Sequence, residues 1–222
     1  MQNGMHGVKY CLLGKKLIEA SNRSGGLKPD HVLVDYGSLI PKGNVLDLGM
    51  GEGRNSFFFA KMGYEVEGFD ISQTAIERCI EIAKNENLKV KAEVKDLREV
   101  DIPKGRYSLI IAAWVLNFFK KPEAEEIIRK IKEGLKRNGL VYIAIFSLDD
   151  PGYEKAKSKL ELVGENTFYS SRRDYFIHYF KEEEFLSLFP GFKIVYHAKG
   201  TGLDLEHGEP HYHGFIEYMG QK

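Results

Sequence analysis

The sequence predicts an α/β fold of the Rossmann-like, doubly wound type, with a mostly parallel seven-stranded sheet and an antiparallel hairpin at its C-terminal edge. Two features of the chain support this class. From residue 45 onwards, short apolar runs alternate with segments whose apolar residues recur at helical spacing. The first run, residues 45–48, leads into a turn with glycines at 49, 51 and 53. Right-handed crossovers between such strands create a ligand crevice at their carboxyl ends.

The composition disfavours several kinds of partner. Among 222 residues, 32 basic and 32 acidic side chains give zero formal net charge, so no general field draws the chain to nucleic acid or to anionic lipid. The two cysteines, Cys11 and Cys79, have no C-x-x-C spacing. No apolar run approaches the ~18 residues that span a bilayer, and the amino end lacks a signal-peptide layout. We therefore expect a cytoplasmic protein with one domain over residues 1–222 and a small-molecule partner.

The segment before the first strand is predicted to be helical. Tyr10, Leu13 and Leu17 recur at helical spacing, so residues 1–40 form a helical cap that either packs on the sheet or covers the crevice. A second helix is expected over residues 31–39, after Pro29.

Residues 41–146 form the predicted ligand-binding core. Strands are expected over residues 45–48, 65–69, 90–94, 107–113 and 140–146. Helices begin near Asn55, after the N-cap Ser72, and at Pro122. The last of these presents an inward face of Ile127, Ile128, Ile131 and Leu135, and it is expected to stop at residues 137–139.

The glycine turn indicates a ligand. Glycine lets backbone approach a bound group closely, and the following helix presents N–H groups. A dinucleotide-binding turn needs G-x-G-x-x-G, but Arg54 occupies the third glycine position here. The turn therefore argues against a pyrophosphate cradle and makes an NAD(P)-dependent oxidoreductase the weaker alternative.

Acidic residues follow the next two strands. Asp70 lies about 20 residues beyond the turn, where nucleoside-binding units place an acid against ribose hydroxyls. Asp96 follows the third strand, where a carboxylate can accept from an adenine amino group. Taken alone, Asp96 is more typical of a turn residue.

The turn resembles the first motif of the class I S-adenosylmethionine-dependent methyltransferases, D-x-G-x-G-x-G after a hydrophobic strand. The resemblance continues in order through residues 66–72, 94–97, 107–119 and 135–146. Residues 53–56 and the closing segment resemble the small-molecule branch that includes the tellurite-resistance methyltransferases. The resemblance implies S-adenosylmethionine as cofactor, S-adenosylhomocysteine as product and a small-molecule acceptor. A non-catalytic nucleoside or metal sensor remains the alternative from another class.

The resemblance also implies a set of cofactor-binding residues. They are Asp47, Gly49, Gly51, Gly53, Arg54, Asp70, Ile71, Asp96, Leu97 and Ala113. In this set, Asp47 lies near the methionine amino group and Asp70 takes both ribose hydroxyls. Ile71 covers one face of adenine, while Asp96 and Leu97 read its edge.

Arginine side chains leave alternatives open. Arg54 either reaches the methionine carboxylate or forms an ion pair on the helix surface. Residues 147–180 interrupt the alternation after the fifth strand and form a candidate substrate lid, with a polar helix over residues 153–162. The adjacent pair Arg172 and Arg173 is either a solvated pair or an anion clamp. Together with residues after the fourth strand, the candidate substrate-facing set is Trp114, Asn117, Arg172, Arg173, Tyr175 and His178.

Residues 181–222 are predicted to contain the last helix and the hairpin. The helix covers residues 181–189, and strands over 192–198 and 211–219 are joined by a loop over 199–210. The period of two places His211 and His213 on one strand face. If the strand over 192–198 runs parallel to the others, these two histidines and the loop residue His207 lie at the mouth of the crevice.

The three histidines His207, His211 and His213 have three interpretations. Neutral imidazole is a proton acceptor near pH 7, so they are candidate catalytic residues that handle the acceptor. They also have the chemistry of metal ligands, but their spacing matches no metal signature, and no metal site is predicted. The third interpretation is a hydrogen-bonded hairpin loop. The resemblance places His207 beside the substrate, but Gly208 stands where the tellurite-resistance relatives have arginine, which argues against a metalloid oxyanion as acceptor.

Overall fold

The computed structural model describes residues 28–204 and 210–222. The helix predicted from Tyr10, Leu13 and Leu17 lies outside the described residues, and so does His207. Among the described residues, no helix is both long enough and apolar enough to cross a bilayer.

Helices and strands alternate through the first two thirds of the chain. The strands are β1 (Asn44–Leu48), β2 (Glu65–Asp70), β3 (Val90–Val94), β4 (Tyr107–Ala113), β5 (Leu135–Phe146), β6 (Glu161–Gly164), β7 (Thr167–Ser170), β8 (Tyr175–His178), β9 (Lys193–Asp204) and β10 (His211–Gln221). The α-helices are α1 (His31–Tyr36), α2 (Arg54–Lys61), α3 (Gln73–Asn85), α4 (Lys121–Gly134), α5 (Pro151–Lys159) and α6 (Glu182–Ser187). The predicted N-cap of α3 is confirmed, because Ser72 Oγ accepts from Ala75 N at 3.3 Å.

Seven of the described strands form one sheet in the order β3-β2-β1-β4-β5-β10-β9. β1 runs parallel to β2 and β4, β2 runs parallel to β3, and β9 and β10 are antiparallel. The predicted mostly parallel sheet with an antiparallel hairpin at its edge is confirmed. β6, β7 and β8 form a separate antiparallel sheet.

The described chain forms two compact units. The first takes residues from the described part of 1–111 together with 134–140, and its apolar cluster includes Met50, Phe57, Ile76, Cys79 and Ala83. The second comprises residues 112–133 and the described part of 141–222, and its apolar cluster includes Ala156, Phe168 and Tyr179.

The helix predicted to stop at residues 137–139 ends earlier, at Gly134, and Leu135 begins β5. Gly134 packs closely at this boundary, since a Cβ on it would lie 2.4 Å from Ile102 Cγ2. The Gly134 carbonyl also accepts from Arg106 N at 2.9 Å. The turn residues that suggested the later boundary fall within β5, where Asn138 has a φ of 63°.

Two further boundaries differ from the sequence-based expectation. The loop predicted over residues 199–210 is a strand as far as Asp204, because β10 supplies partners such as Phe215 for Gly200. The helix predicted to reach residue 162 ends at Lys159, and the rest of the insertion forms the small sheet. Glycine-rich and polar residues indicated loops locally, but pairing with a neighbouring strand satisfies their backbone groups.

Candidate functional site

The turn after β1 has a backbone that glycine accommodates well. The angle φ is 70° at Gly49, 55° at Gly51 and 91° at Gly53, in the left-handed region that L side chains rarely adopt. A Cβ on Gly53 would lie 2.8 Å from Cys79 Sγ, whereas a Cβ on Gly51 would meet nothing within 4 Å. Gly53 therefore allows close packing, and Gly51 presents bare backbone to open space that a ligand can occupy.

Asp70, at the end of β2, holds this turn. Its Oδ2 accepts from Gly51 N at 2.8 Å, and its Oδ1 accepts from Ser72 N at 2.9 Å. The carboxylate is half-buried. A carboxylate offers about four acceptor directions, so two backbone donors leave capacity for two ligand hydroxyls. The geometry fits a ribose at this position.

Asp47 lies within β1 and is 2% exposed. Its Oδ2 accepts from Ser56 Oγ at 2.7 Å, which connects β1 to the first turn of α2. Burial raises the pKa of Asp47 to about 7, and the hydrogen bond from Ser56 and the charge of Arg54 oppose this rise. The carboxyl group therefore changes protonation near neutral pH.

Arg54 forms an ion pair with Asp30, which is one of the two roles expected for it from the sequence. Its guanidinium lies 2.8 Å from an oxygen of Asp30, and Asn55 Nδ2 donates to the same carboxylate at 2.9 Å. Asp30 N in turn donates to Asn55 Oδ1 at 2.9 Å. These bonds attach the segment before α1 to the start of α2.

The residues predicted to contact adenine differ in accessibility. Ile71 is 72% exposed and follows Asp70 directly, so its apolar side chain is available to cover a flat ring. Leu97 is buried, but its backbone begins a short 3₁₀ helix over Leu97–Glu99. Asp96 caps that helix by accepting from Arg98 N at 2.9 Å, and hydrogen bonds from Arg98 lower the pKa of Asp96.

Ala113 and Trp114 follow in the second unit. Ala113 is the last residue of β4 and is half-buried. Trp114 has a φ of 60°, an uncommon conformation for a bulky residue, and its backbone N donates to Ala144 O at 2.7 Å. Its indole lies beside the Phe146 ring, with centroids 5.5 Å apart.

Two of the candidate substrate-facing residues are turned inward instead. Asn117 is fully buried, where Nδ2 donates to His178 O at 2.8 Å and Oδ1 accepts from Phe146 N at 3.1 Å. His178 is 2% exposed, and its Nδ1 is 2.8 Å from Thr167 Oγ1. Burial lowers the pKa of His178 to about 4. The polar atoms of Asn117 and His178 form hydrogen bonds inside the protein. This corrects the expectation that the two side chains face substrate.

The structure brings His211 and His213 together with an acid that the sequence did not single out. His211 Nε2 and His213 Nε2 are 2.9 Å apart, and His213 Nδ1 lies 2.8 Å from Asp150 Oδ2. The Phe146 ring stacks on His213 at 4.7 Å. Asp150 is 4% exposed, caps α5 by accepting from Gly152 N at 2.6 Å, and also accepts from Gly214 N at 3.0 Å.

Asp150 directly precedes Pro151, the first residue of α5. An aspartate before a proline is a signal for a helix N-cap, but no local pattern indicates a partner 63 residues away. Within residues 28–204 and 210–222, no group of three or more His, Cys, Asp or Glu side chains is arranged to hold a metal ion.

Arg172, Arg173 and Tyr175 are brought together in the second unit. All three line a cleft of about 550 Å³, with contributions from α5, β7 and β8. The cleft also includes Lys155 and Lys159, which the sequence did not single out.

The chain is similar to known methyltransferases in sequence. Residues 45–139 match the family described as "Methyltransferase domain". The "Probable S-adenosyl-L-methionine-dependent methyltransferase TehB" of Haemophilus influenzae is 31% identical over 119 residues, which are 53% of this chain and 41% of TehB. The match thus spans about two fifths of that relative's length.

Solved structures resemble this fold over most of the chain. The crystal structure of TehB from Haemophilus influenzae has a TM-score of 0.72 at 20% identity, covering 91% of this chain and 65% of that one. A SAM-dependent methyltransferase from Methanosarcina mazei also has a TM-score of 0.72, at 21% identity, covering 88% of this chain and 99% of its own. The 1,6-didemethyltoxoflavin-N1-methyltransferase of Burkholderia thailandensis, with bound 1,6-didemethyltoxoflavin and S-adenosylhomocysteine, has a TM-score of 0.62 at 16% identity, covering 95% and 87%. At these identities the likeness concerns the fold.

Proposed function

We propose, on the premise that this chain carries a class I S-adenosylmethionine-dependent methyltransferase domain, that it transfers the methyl group of S-adenosylmethionine to a small-molecule acceptor. The donor supplies an activated methyl on a sulfonium, and the other product is S-adenosylhomocysteine. Because the leaving group is already activated, the protein contributes mainly by holding donor and acceptor in line and by excluding water.

The observation that carries the proposal is the arrangement of Asp70 and the glycine turn. Asp70 holds Gly51 N and keeps acceptor capacity for the ribose hydroxyls, while Gly51 exposes backbone beside open space. We assign the methionine portion to the bed formed by Gly49, Gly51 and Gly53. The adenine is assigned to Ile71 and to the segment that begins at Asp96.

Three observations support a small acceptor. The formal net charge of zero provides no field for binding a polyanion such as nucleic acid. The second unit contains a cleft of about 550 Å³, within the usual size range of small-molecule sites. The structure of the similar Burkholderia thailandensis protein has 1,6-didemethyltoxoflavin bound.

We assign the enzyme to the cytoplasm, where a reducing environment suits the free buried thiol of Cys79.

We assign proton transfer from the acceptor to His211 and His213. Asp150 accepts from His213 Nδ1–H, so the neutral His213 ring has an unprotonated Nε2. That nitrogen accepts from His211 Nε2–H, so the lone pair of the neutral His211 ring is on Nδ1, the atom to which we assign the acceptor's proton. In this arrangement Asp150 is a positioning residue that sets the tautomers of both rings.

Replacing Asp70 tests the donor site. We expect Asp70→Ala to weaken S-adenosylmethionine binding by about 1 to 3 kcal/mol, because two hydrogen-bonded hydroxyls lose their acceptor. Titration calorimetry measures the loss. Glu93→Gln is the matched control, since it removes one acidic charge from the neighbouring strand β3 on an exposed side chain paired with Lys91. Wild-type affinity in Asp70→Ala would refute the assignment of the donor to this turn.

Replacing His211 tests the proton acceptor. A screen for S-adenosylhomocysteine release over small molecules first identifies an acceptor. With that acceptor, we expect His211→Ala to lower kcat about 100-fold while leaving donor affinity unchanged, and Asp150→Asn to shift the pH profile of kcat. His197→Gln, on the neighbouring strand β9, is the control histidine. An unchanged kcat in His211→Ala would refute the assignment of proton transfer to His211 and His213.

A further inference from the structure

The cleft in the second unit has the dimensions of a ligand site. It measures about 550 Å³ and has contributions from α5 and from the β7–β8 hairpin. Its apolar wall includes Ala156, Leu160 and Ile177, and aromatic rings from Tyr169, Tyr175 and Tyr179 complete the lining. Apolar walls with a few polar groups are typical of sites that bind small organic molecules.

The polar part of the lining is strongly basic. It contains Lys155, Lys159, Arg172 and Arg173 against the single acid Glu161. In the part of the chain that the structure describes, none of these four cations forms an ion pair. By contrast, Lys157 on the same helix is 3.0 Å from Glu154. Four cations around one concave surface raise the local concentration of anions and offer charge-assisted hydrogen bonds.

Tyr179 provides an independent sign of a ligand. The side chain is 3% exposed, and its hydroxyl forms no hydrogen bond with any described residue. The hydroxyl is close to Gly152, since a Cβ on that glycine would lie 2.9 Å from the Tyr179 oxygen, and both residues line the cleft. Burial and the nearby Asp150 raise the pKa of Tyr179, so the hydroxyl stays protonated as a donor. The hydroxyl borders the cleft, where it can donate to an acceptor atom of a ligand.

We propose that this cleft binds a small organic anion, with its acidic group held by Arg172 and Arg173 and its apolar body against Leu160 and Ile177. The Tyr179 hydroxyl donates to an oxygen of the ligand. Arginine suits this role because its planar fork matches a carboxylate. The inference rests on the proposed function in one respect, since it names an organic anion as the class of acceptor for the same cleft. Its test contains no methyl donor, so failure of anion binding and failure of methyl transfer are distinguished.

The test uses 4-fluorobenzoate as probe and measures its ¹⁹F NMR line width with the full chain. The neutral isostere 4-fluorobenzamide serves as the comparison ligand. We expect 4-fluorobenzoate to bind, 4-fluorobenzamide to bind at least about tenfold more weakly, and the double variant Arg172→Gln/Arg173→Gln to lose about tenfold in affinity for the benzoate. The charge-matched control is Lys84→Gln/Lys89→Gln, two exposed cations of the first unit.

The hydroxyl is tested separately. We expect Tyr179→Phe to weaken 4-fluorobenzoate binding several-fold, whereas Tyr218→Phe, which removes a hydroxyl from another buried tyrosine outside the cleft, leaves binding unchanged. Equal binding of benzoate and benzamide, or benzoate binding that is unaffected by the double arginine variant, would overturn the proposal. Absence of benzoate binding to the wild-type chain would overturn it as well.

Discussion

At the scale of single residues, burial decides which polar side chains are available to a ligand. Asp70 and Asp47 are acids associated with the same turn, but Asp70 is half-buried at a strand end while Asp47 is 2% exposed within β1. The first retains acceptor capacity for hydroxyls. The second has Ser56 as its hydrogen-bond partner, and burial raises its pKa to about 7. Both acids lie in motifs that carry the resemblance, Asp47 in D-x-G-x-G-x-G and Asp70 in residues 66–72, and the motifs do not distinguish the environments of the two carboxylates.

His178 makes stability depend on pH. Burial lowers the pKa of His178 to about 4 from 6.5, so between these values the unfolded chain binds a proton that the folded chain does not. Stability therefore falls as pH drops from 6.5 towards 4. We expect the free energy of unfolding of His178→Gln to fall by about 1 to 3 kcal/mol less than that of the wild type over this pH range. Urea unfolding at stepped pH measures the difference. Parallel pH profiles for the variant and the wild type would contradict this linkage.

At the scale of elements, strand pairing overrides local sequence signals. Residues 199–204 contain two glycines and were expected to form a loop, but β9 continues through them because β10 pairs with them. Residues 161–178 likewise lack a clear alternating pattern, and yet they form the three-stranded sheet. Their hydrogen-bond partners lie several residues away in sequence, so periodicity within a short window does not reveal them.

The close approach of β10 to the start of α5 gives a prediction for Gly214. A Cβ on Gly214 would lie 2.2 Å from Asp150 N. The Gly214→Ala substitution therefore forces the backbone at Gly214 away from the backbone at Asp150. We expect a loss of about 1 to 3 kcal/mol in the free energy of unfolding. Gly202→Ala in the same hairpin is the matched control, because its Cβ would lie 3.4 Å from the Phe215 ring, and we expect a smaller loss. Urea unfolding measures both variants. Equal losses would show that the contact with Asp150 is not the cause.

At the scale of the whole molecule, the fold confirms the α/β prediction, and the methyl donor can be tested on the intact chain. A ligand that binds only the folded state stabilises it by about 2.7 kcal/mol at 100 times its Kd, which for a chain of this size raises Tm by about 5 to 10 °C. We expect S-adenosylhomocysteine to produce this shift in a thermal melt.

NADH serves as the comparison ligand in the same melt. Arg54 stands where the dinucleotide fingerprint needs glycine, and its guanidinium pairs with Asp30, so we expect NADH to leave Tm unchanged. A larger shift with NADH than with S-adenosylhomocysteine would favour the oxidoreductase that the sequence placed second. The Asp70→Ala variant should show a smaller shift with S-adenosylhomocysteine than the wild type.

The sequence by itself determined the alternation of strands and helices, the order of the motifs and the positions of the glycine turn and of Asp70. These are local properties, because periodicity, glycine content and the residue at a strand end are read within a few positions. Only the tertiary structure decided that Asp150 pairs with His213, that His178 is buried, and that Lys155 joins Arg172 around one cleft. Such contacts join residues far apart in the chain, and they depend on burial and strand register, which no short stretch of sequence contains.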